Sequence, residues 1–334
     1  MKKDFLRLVK NILLFGSPVL LLAVSYFIFD PFHVLKHYES YPDNYLKSYN
    51  RNRISTQIFL NNNDSLQYRS FIFGSSRSSV FYTQDWANYI KDEYAYHFDA
   101  SNEDITGIYQ KLMFINEQGN PIDNALIILD GESFNPYVDH DNSIIHIRDW
   151  RWSGENRFLY HLTFFKAFFK DLYFIKYFDT LISQEYKDYM YGSFENKHML
   201  YTPINNDFIF QGYIDQIKED SLGYYSRDLF YERDEQEEMN PVYIDEEEEL
   251  RMLKEIKSLF DQKKTNYKIV FGPGYDQKKL HNEDLEKVKE IFGTDKVFDY
   301  TGQNKFTSSL SNFYEIYHYK PLVAREIMDS IYVK

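Results

Sequence analysis

Three side chains in this sequence have the types that nucleophilic acyl chemistry requires. Ser76 stands in Gly74-Ser75-Ser76-Arg77, directly after the apolar run Phe71-Ile72-Phe73, and far downstream Glu315 and His318 stand three residues apart in Asn312-Phe313-Tyr314-Glu315-Ile316-Tyr317-His318. A serine hydroxyl attacks a carbonyl only when a base takes its proton, and the base needs an acid to hold its tautomer. The spacing lets the Glu315 carboxylate bond one ring nitrogen of His318 while the other faces the serine. On a regular helix it would also put both residues on one face. An E-x-x-H pair is common by chance and an isolated histidine is usually structural, so the pair gains its weight from its place in the chain, after the last predicted strand.

The elements that must position these residues alternate along the sequence. Phe71 to Phe73 reads as a strand, followed by a helix near Thr83 to Asp92, a strand at Tyr96 to Phe98 and a helix from Ile105 to Gln118 that ends at Gly119-Asn120-Pro121. Ala125 to Leu129 has the unbroken apolar pattern of a strand buried on both faces. The alternation resumes near Asp245 with a helix bearing Leu250, Leu253, Ile256 and Phe260 on one face, its acidic start at Glu246 to Glu249 read as a solvated helix N-terminus rather than a metal site. Tyr267 to Phe271, a helix over Glu283 to Phe292 capped by Asn282, the strand Val297 to Tyr300 and a last helix from Pro321 to about Tyr332 complete the pattern. Five short strands separated by helices predict an α/β fold, a parallel five-stranded sheet with helices on both faces. Ligands of such sheets bind at the carboxyl ends of the strands. Ser76, Ala100-Ser101, Asp130 to Asn135 and the Glu315/His318 loop all fall on that edge.

Composition narrows the function classes. The 334 residues, 43% hydrophobic and 19% aromatic, suffice for one large or two small packed domains, and the net charge of -13 argues against a nucleic-acid partner. There is no cysteine, which removes thiol nucleophiles, thiolate zinc sites and disulfides together. Asn11 to Phe29 is a nearly unbroken apolar run, preceded by Lys2, Lys3, Arg7 and Lys10 and closed by Asp30-Pro31. It predicts a transmembrane anchor over residues 1–30, with the following domain on the outer side, and it exceeds the apolar region of a usual signal peptide. Residues 31–68 read as stalk and first helix, and 69–334 as the α/β domain with an insertion at about 136–244. In that insertion Phe164, Phe165, Phe168, Phe169, Tyr173 and Phe174 crowd a helical segment, to be read as buried core, a lid or a membrane contact.

Phe73-Gly74-Ser75-Ser76-Arg77 after the first strand, with Glu315-x-x-His318 before the last helix, resembles the SGNH/GDSL hydrolase superfamily. It is similar to the membrane-anchored extracytoplasmic branch that includes DltD-like and alginate O-acetyltransferase-like proteins. The resemblance implies a flavodoxin-like sheet with Ser76 as nucleophile, His318 as general base and Glu315 in the acid position usually filled by aspartate. Two blocks depart from the pattern. Where the superfamily offers a glycine N–H to the oxyanion, this chain has Asp99-Ala100-Ser101-Asn102, and where it has asparagine in Gly-x-Asn-Asp, this chain has Asp130-Gly131-Glu132-Ser133. The oxyanion candidates are therefore the Ser76 and Ser101 backbone N–H groups and Asn102, with Asn135 further off. Arg77 reads as a structural partner of a carboxylate such as Asp130, or as a steering group for an anionic substrate. Ser75 reads as a cap. His140 and His146 match no metal-ligand spacing.

The expected activity is that of a membrane-anchored extracytoplasmic serine esterase or O-acyltransferase acting on acyl groups of cell-envelope glycans. The alternative is a non-catalytic protein of the same fold, a glycan-binding or scaffold subunit. No metal or organic cofactor is implied. The resemblance alone implies a multispanning acyltransferase as partner, in the cytoplasmic membrane.

Overall fold

The apolar strands expected from the sequence form one five-stranded parallel sheet in the computed structural model, which describes residues 2–41, 49–135, 144–194, 198–233, 236, 238–244 and 247–333. We label the strands β1 (Ser70–Gly74), β2 (Ala95–His97), β3 (Asn124–Leu129), β4 (Asn266–Phe271) and β5 (Val297–Asp299). Their order across the sheet is β2-β1-β3-β4-β5, and every neighbouring pair is parallel. The chain thus runs outward one way from β1 to β2 and the other way from β1 to β3. This reversal leaves a crevice at the carboxyl ends of β1 and β3, where open α/β sheets bind ligands.

Each strand divides its side chains between two cores, because successive residues point to opposite faces. Phe71, Phe73, Ile127 and Ile269 pack on one face with the helices Arg51–Leu66, Ile105–Glu117, Glu247–Lys263 and Asn282–Phe292. Ile72, Leu126, Ile128 and Val270 pack on the other, against Trp86 of the helix Thr83–Ile90 and Val323, Ala324 and Ile327 of Pro321–Tyr332. Part of the stretch 31–68 belongs to this body: Ile54, Ile58 and Phe59 of the helix Arg51–Leu66 are fully buried against the sheet.

Two local expectations are corrected. The helix Asn282–Phe292 is capped not by Asn282 but by His281, whose Nδ1 accepts from the Glu283 N–H. Asn282 already has helical geometry, so the residue before it occupies the cap. Glu315 and His318 lie on a small antiparallel hairpin, Phe313–Glu315 paired with His318–Tyr319, rather than in a loop or on a helix. Register pairs Glu315 directly with His318, so a two-residue turn brings them together.

The insertion builds a third core. The helices Arg157–Phe169 and Tyr173–Ser183 bury Tyr160, Phe164, Phe168, Tyr173 and Tyr177 around Tyr26, Phe32 and Val34. Tyr26 lies in the last turn of the first helix, Lys2–Phe29, and the Asp30 carboxylate just beyond it accepts from the Val34, Leu35 and Lys36 N–H groups, which fixes the chain where it leaves the helix. Among the described residues, no helix is long and apolar enough to cross a membrane. Glu246 and His140 lie outside the described residues.

The turn that carries Ser75 and Ser76 depends on Gly74. It has φ +152°, and a Cβ there would stand 2.5 Å from the Ile128 carbonyl oxygen and 2.8 Å from Ser78 Cβ. Gly74→Ala should cost about 1–3 kcal/mol through strain and displacement of the turn, measured as a lower midpoint in denaturant unfolding. An unchanged midpoint would show that the close approach carries no load.

Candidate active site

Ser76 opens the short 3₁₀ turn Ser76–Val80 immediately after β1, and Ser75 caps that turn by accepting from the Arg77 N–H. The hairpin that follows β5 delivers the other two residues to the same place. Ser76 Oγ lies 2.9 Å from His318 Nε2, and His318 Nδ1 hydrogen-bonds Glu315 Oε1. The Glu315 carboxylate also accepts from the Tyr317 N–H at 2.9 Å, which fixes its orientation from within the turn. A carboxylate accepts and cannot donate, so the Nδ1 proton is held on that side and the Nε2 lone pair faces the serine. Phe210, contributed by the insertion, packs on the imidazole with ring centroids 4.6 Å apart.

Ser76 and His318 line a cleft of about 590 Å³, and Glu315 stands behind the imidazole rather than in the lining. Ser101, Asn102, Asp130 and Arg77 line it too, which leaves Glu315, held by His318 Nδ1, as the one residue of the expected triad outside the lining. Asn135 is not part of that lining among the described residues. The loop after β2 reaches Ser76 because β2 is laced to β1 beyond its end: Phe98 N–H donates to the Ile72 carbonyl and Ala100 N–H to that of Gly74. Ser101 follows directly, its N–H one residue past the lacing. Asn102 takes the left-handed conformation, φ 53°, in which asparagine is among the best tolerated residues.

Arg77 pairs with Asp130 at 3.2 Å and its Nε donates to the Tyr317 carbonyl, linking the nucleophile turn to both β3 and the hairpin. Burial alone would depress its guanidinium, but the carboxylates of Asp130, Asp276 and Glu132 outweigh that and hold it above its ordinary value. Arg77 is therefore a fixed cation in the cleft. Asp130 also approaches Ser75 Oγ at 3.4 Å and accepts from the Glu132 N–H, so a carboxylate fills the third block.

The sequence reading missed the support beneath these residues. Ser78 donates to the Ser75 carbonyl at 2.7 Å, which uses its only proton, so at 3.0 Å it accepts from His97 Nε2. His97 Nδ1 stands 3.4 Å from Asp207, whose carboxylate also takes the Thr83 N–H and hydroxyl. All of these side chains are buried. A buried histidine closing an apolar strand and the polar triplet Asn205-Asn206-Asp207 were the available signals. The loop after β2 is held likewise by buried ion pairs, Asp99 with Arg51 and Glu103 with Lys111. Burial lowers the Lys111 ammonium and raises the Glu103 carboxyl, each partly offset by the other's charge. His146 lines the cleft beside them.

No family model matches the chain, and no curated protein is significantly similar to it.

His97→Leu should remove the imidazole between Ser78 and Asp207, leaving one buried hydrogen bond to the Ser78 hydroxyl unmade at a cost of about 1–3 kcal/mol. Denaturant unfolding of the full chain checks this, and a loss below half of that range would mean that His97 does not brace the turn.

Proposed function

We propose that this chain is a serine esterase or O-acyltransferase with an SGNH-like arrangement on a flavodoxin-like sheet, anchored by its first helix in the cytoplasmic membrane and working on acyl groups of cell-envelope glycans outside it. The observation that carries the reading is the continuous relay from Ser76 Oγ through His318 to Glu315 at the mouth of an open cleft. In the proposed reaction Ser76 Oγ attacks the acyl carbonyl while His318 Nε2 takes its proton, and Glu315 stabilises the imidazolium that forms. The Ser76 and Ser101 N–H groups and Asn102 are the donors for the oxyanion. The tetrahedral intermediate collapses to an acyl-serine as His318 returns the proton to the departing alkoxide. Water, or a sugar hydroxyl deprotonated by the same imidazole, then takes the acyl group and frees the serine.

The glycan part of the reading rests on exposed aromatic rings at the cleft, Tyr231 and Tyr317, which offer flat apolar faces to sugars. Trp152 is buried and donates its indole N–H to Thr56 Oγ1, so it offers no face to a sugar. The anchor part rests on the apolar run Asn11 to Phe29 as read from the sequence, since no helix of the described residues is itself long and apolar enough to cross a membrane, and on the exposure of Leu14, Phe15, Val19, Leu20 and Leu21. A surface of that kind needs a non-aqueous cover. A multispanning protein supplying the activated acyl group is part of the same proposal.

Three variants test it. With the full chain in detergent, Ser76→Ala should abolish p-nitrophenyl acetate hydrolysis while Ser75→Ala keeps most of it. Equal loss in both, or none in the first, would contradict the assignment. Glu315→Gln should lower kcat on the order of 10⁴-fold by removing the group that sets the imidazole tautomer. A drop of tenfold or less would remove Glu315 from the relay.

A further inference from the structure

The helical pair Arg157–Phe169 and Tyr173–Ser183 does not pack on the sheet; it packs on the end of the first helix. Phe165 touches Tyr26 and Phe27, with ring centroids at 5.2 and 5.8 Å, and Phe29 meets Phe178 at 5.4 Å. Leu22 is the most N-terminal residue of the first helix packed against this core, so the pair covers the stretch from Leu22 to Phe29. At 1.5 Å per residue the apolar run Asn11 to Phe29 is about 28 Å long, close to the roughly 30 Å of a bilayer's hydrocarbon layer. The covered part accounts for about 12 Å of it, and what remains, about 16 Å, crosses only half of that layer. If the first helix spans, its covered end lies inside the hydrocarbon, and whatever packs on that end lies there too.

The outward face of the pair has the matching chemistry. Phe158 is 72% exposed and Ile182 84%, with Leu159, Leu172 and Ile175 exposed as well. Ile175 and Ile182, seven apart on one helix, share a face. The pair carries Arg157, Lys166, Lys170 and Lys176 against Asp171 and Asp179, a positive excess in a chain of net charge -13. Basic side chains with apolar stems among exposed aliphatic and aromatic residues suit the boundary between acyl chains and anionic headgroups.

We propose that this helical pair is embedded in the membrane leaflet on the Phe29 side, a monotopic foot whose ligand is the lipid surface. The inference rests on the reading of the first helix as an anchor. The foot would hold the domain at a fixed height, because Ile144, Ile147 and Trp150 pack against its core while His146, in the same segment, lines the candidate active cleft. Substrate would then be met close to the bilayer surface.

The absence of native cysteine allows a direct test. Single-cysteine full-length variants Leu20→Cys, Phe158→Cys, Ile182→Cys and, as an aqueous reference, the exposed Glu290→Cys are spin-labelled and reconstituted in vesicles of phosphatidylethanolamine with phosphatidylglycerol. Collisions with oxygen and with a water-soluble nickel chelate are then compared. The proposal expects labels at 20, 158 and 182 to lose nickel collisions and gain oxygen collisions relative to 290. Lipid exposure at 20 with water exposure at 158 and 182 would overturn the foot and keep the anchor. Water exposure at all of them would overturn both, and lipid exposure at 158 and 182 alone would keep the foot and overturn the anchor.

Discussion

The close approach of Gly74 to the Ile128 carbonyl is the constraint on which the candidate site depends. Where β1 ends, its backbone must turn out of the sheet while still touching β3, and only a residue without Cβ allows both. The turn that results puts Ser75 in a capping position and Ser76 into the crevice. It also brings Arg77 against Asp130 from β3's end, so the first and third strands contribute adjacent groups. The lacing of Ala100 to Gly74 adds the loop after β2 to the same point. One glycine thus gathers the ends of three strands around one hydroxyl.

Buried charge then fixes what the backbone has gathered. The ion pairs Arg51 with Asp99 and Lys111 with Glu103 lie under the loop after β2, where desolvation offsets much of their mutual attraction. Well-packed apolar residues would give comparable stability in such places. What ion pairs add is a defined position for each partner, and here they fix Asp99 and Glu103 on either side of Ser101 and Asn102. The His97 and Asp207 contacts have the same effect beneath the nucleophile turn, tying a strand, the turn and the insertion into one unit.

The sheet was legible from sequence because its strands are short unbroken apolar runs, and burial on both faces leaves that signature plainly. Ser76, His318 and Glu315 were legible because each follows a strand at the ligand-binding edge. The hairpin geometry of Glu315 and His318 was not, since a five-residue apolar and polar mixture carries neither a helical nor a clear alternating period. His97, Asp207 and Arg51 escaped notice for a different reason. Their roles come from contacts across 110 and 48 residues of chain, which no local pattern encodes. A first helix was expected within 31–68, but the burial of Arg51–Leu66 against the sheet was hidden by its asparagine-rich composition, although its first turns are buried.

At the centre of the proposed chemistry is Ser76 as a nucleophile activated by His318. Its most direct measurement is the reaction of the full chain with a fluorophosphonate, followed by proteolysis and mass spectrometry of the peptide that carries Ser75 and Ser76. A single stoichiometric adduct on Ser76, lost when His318 is replaced by alanine, is the expected result. An adduct on Ser75, or a folded protein that takes up no label, would contradict it.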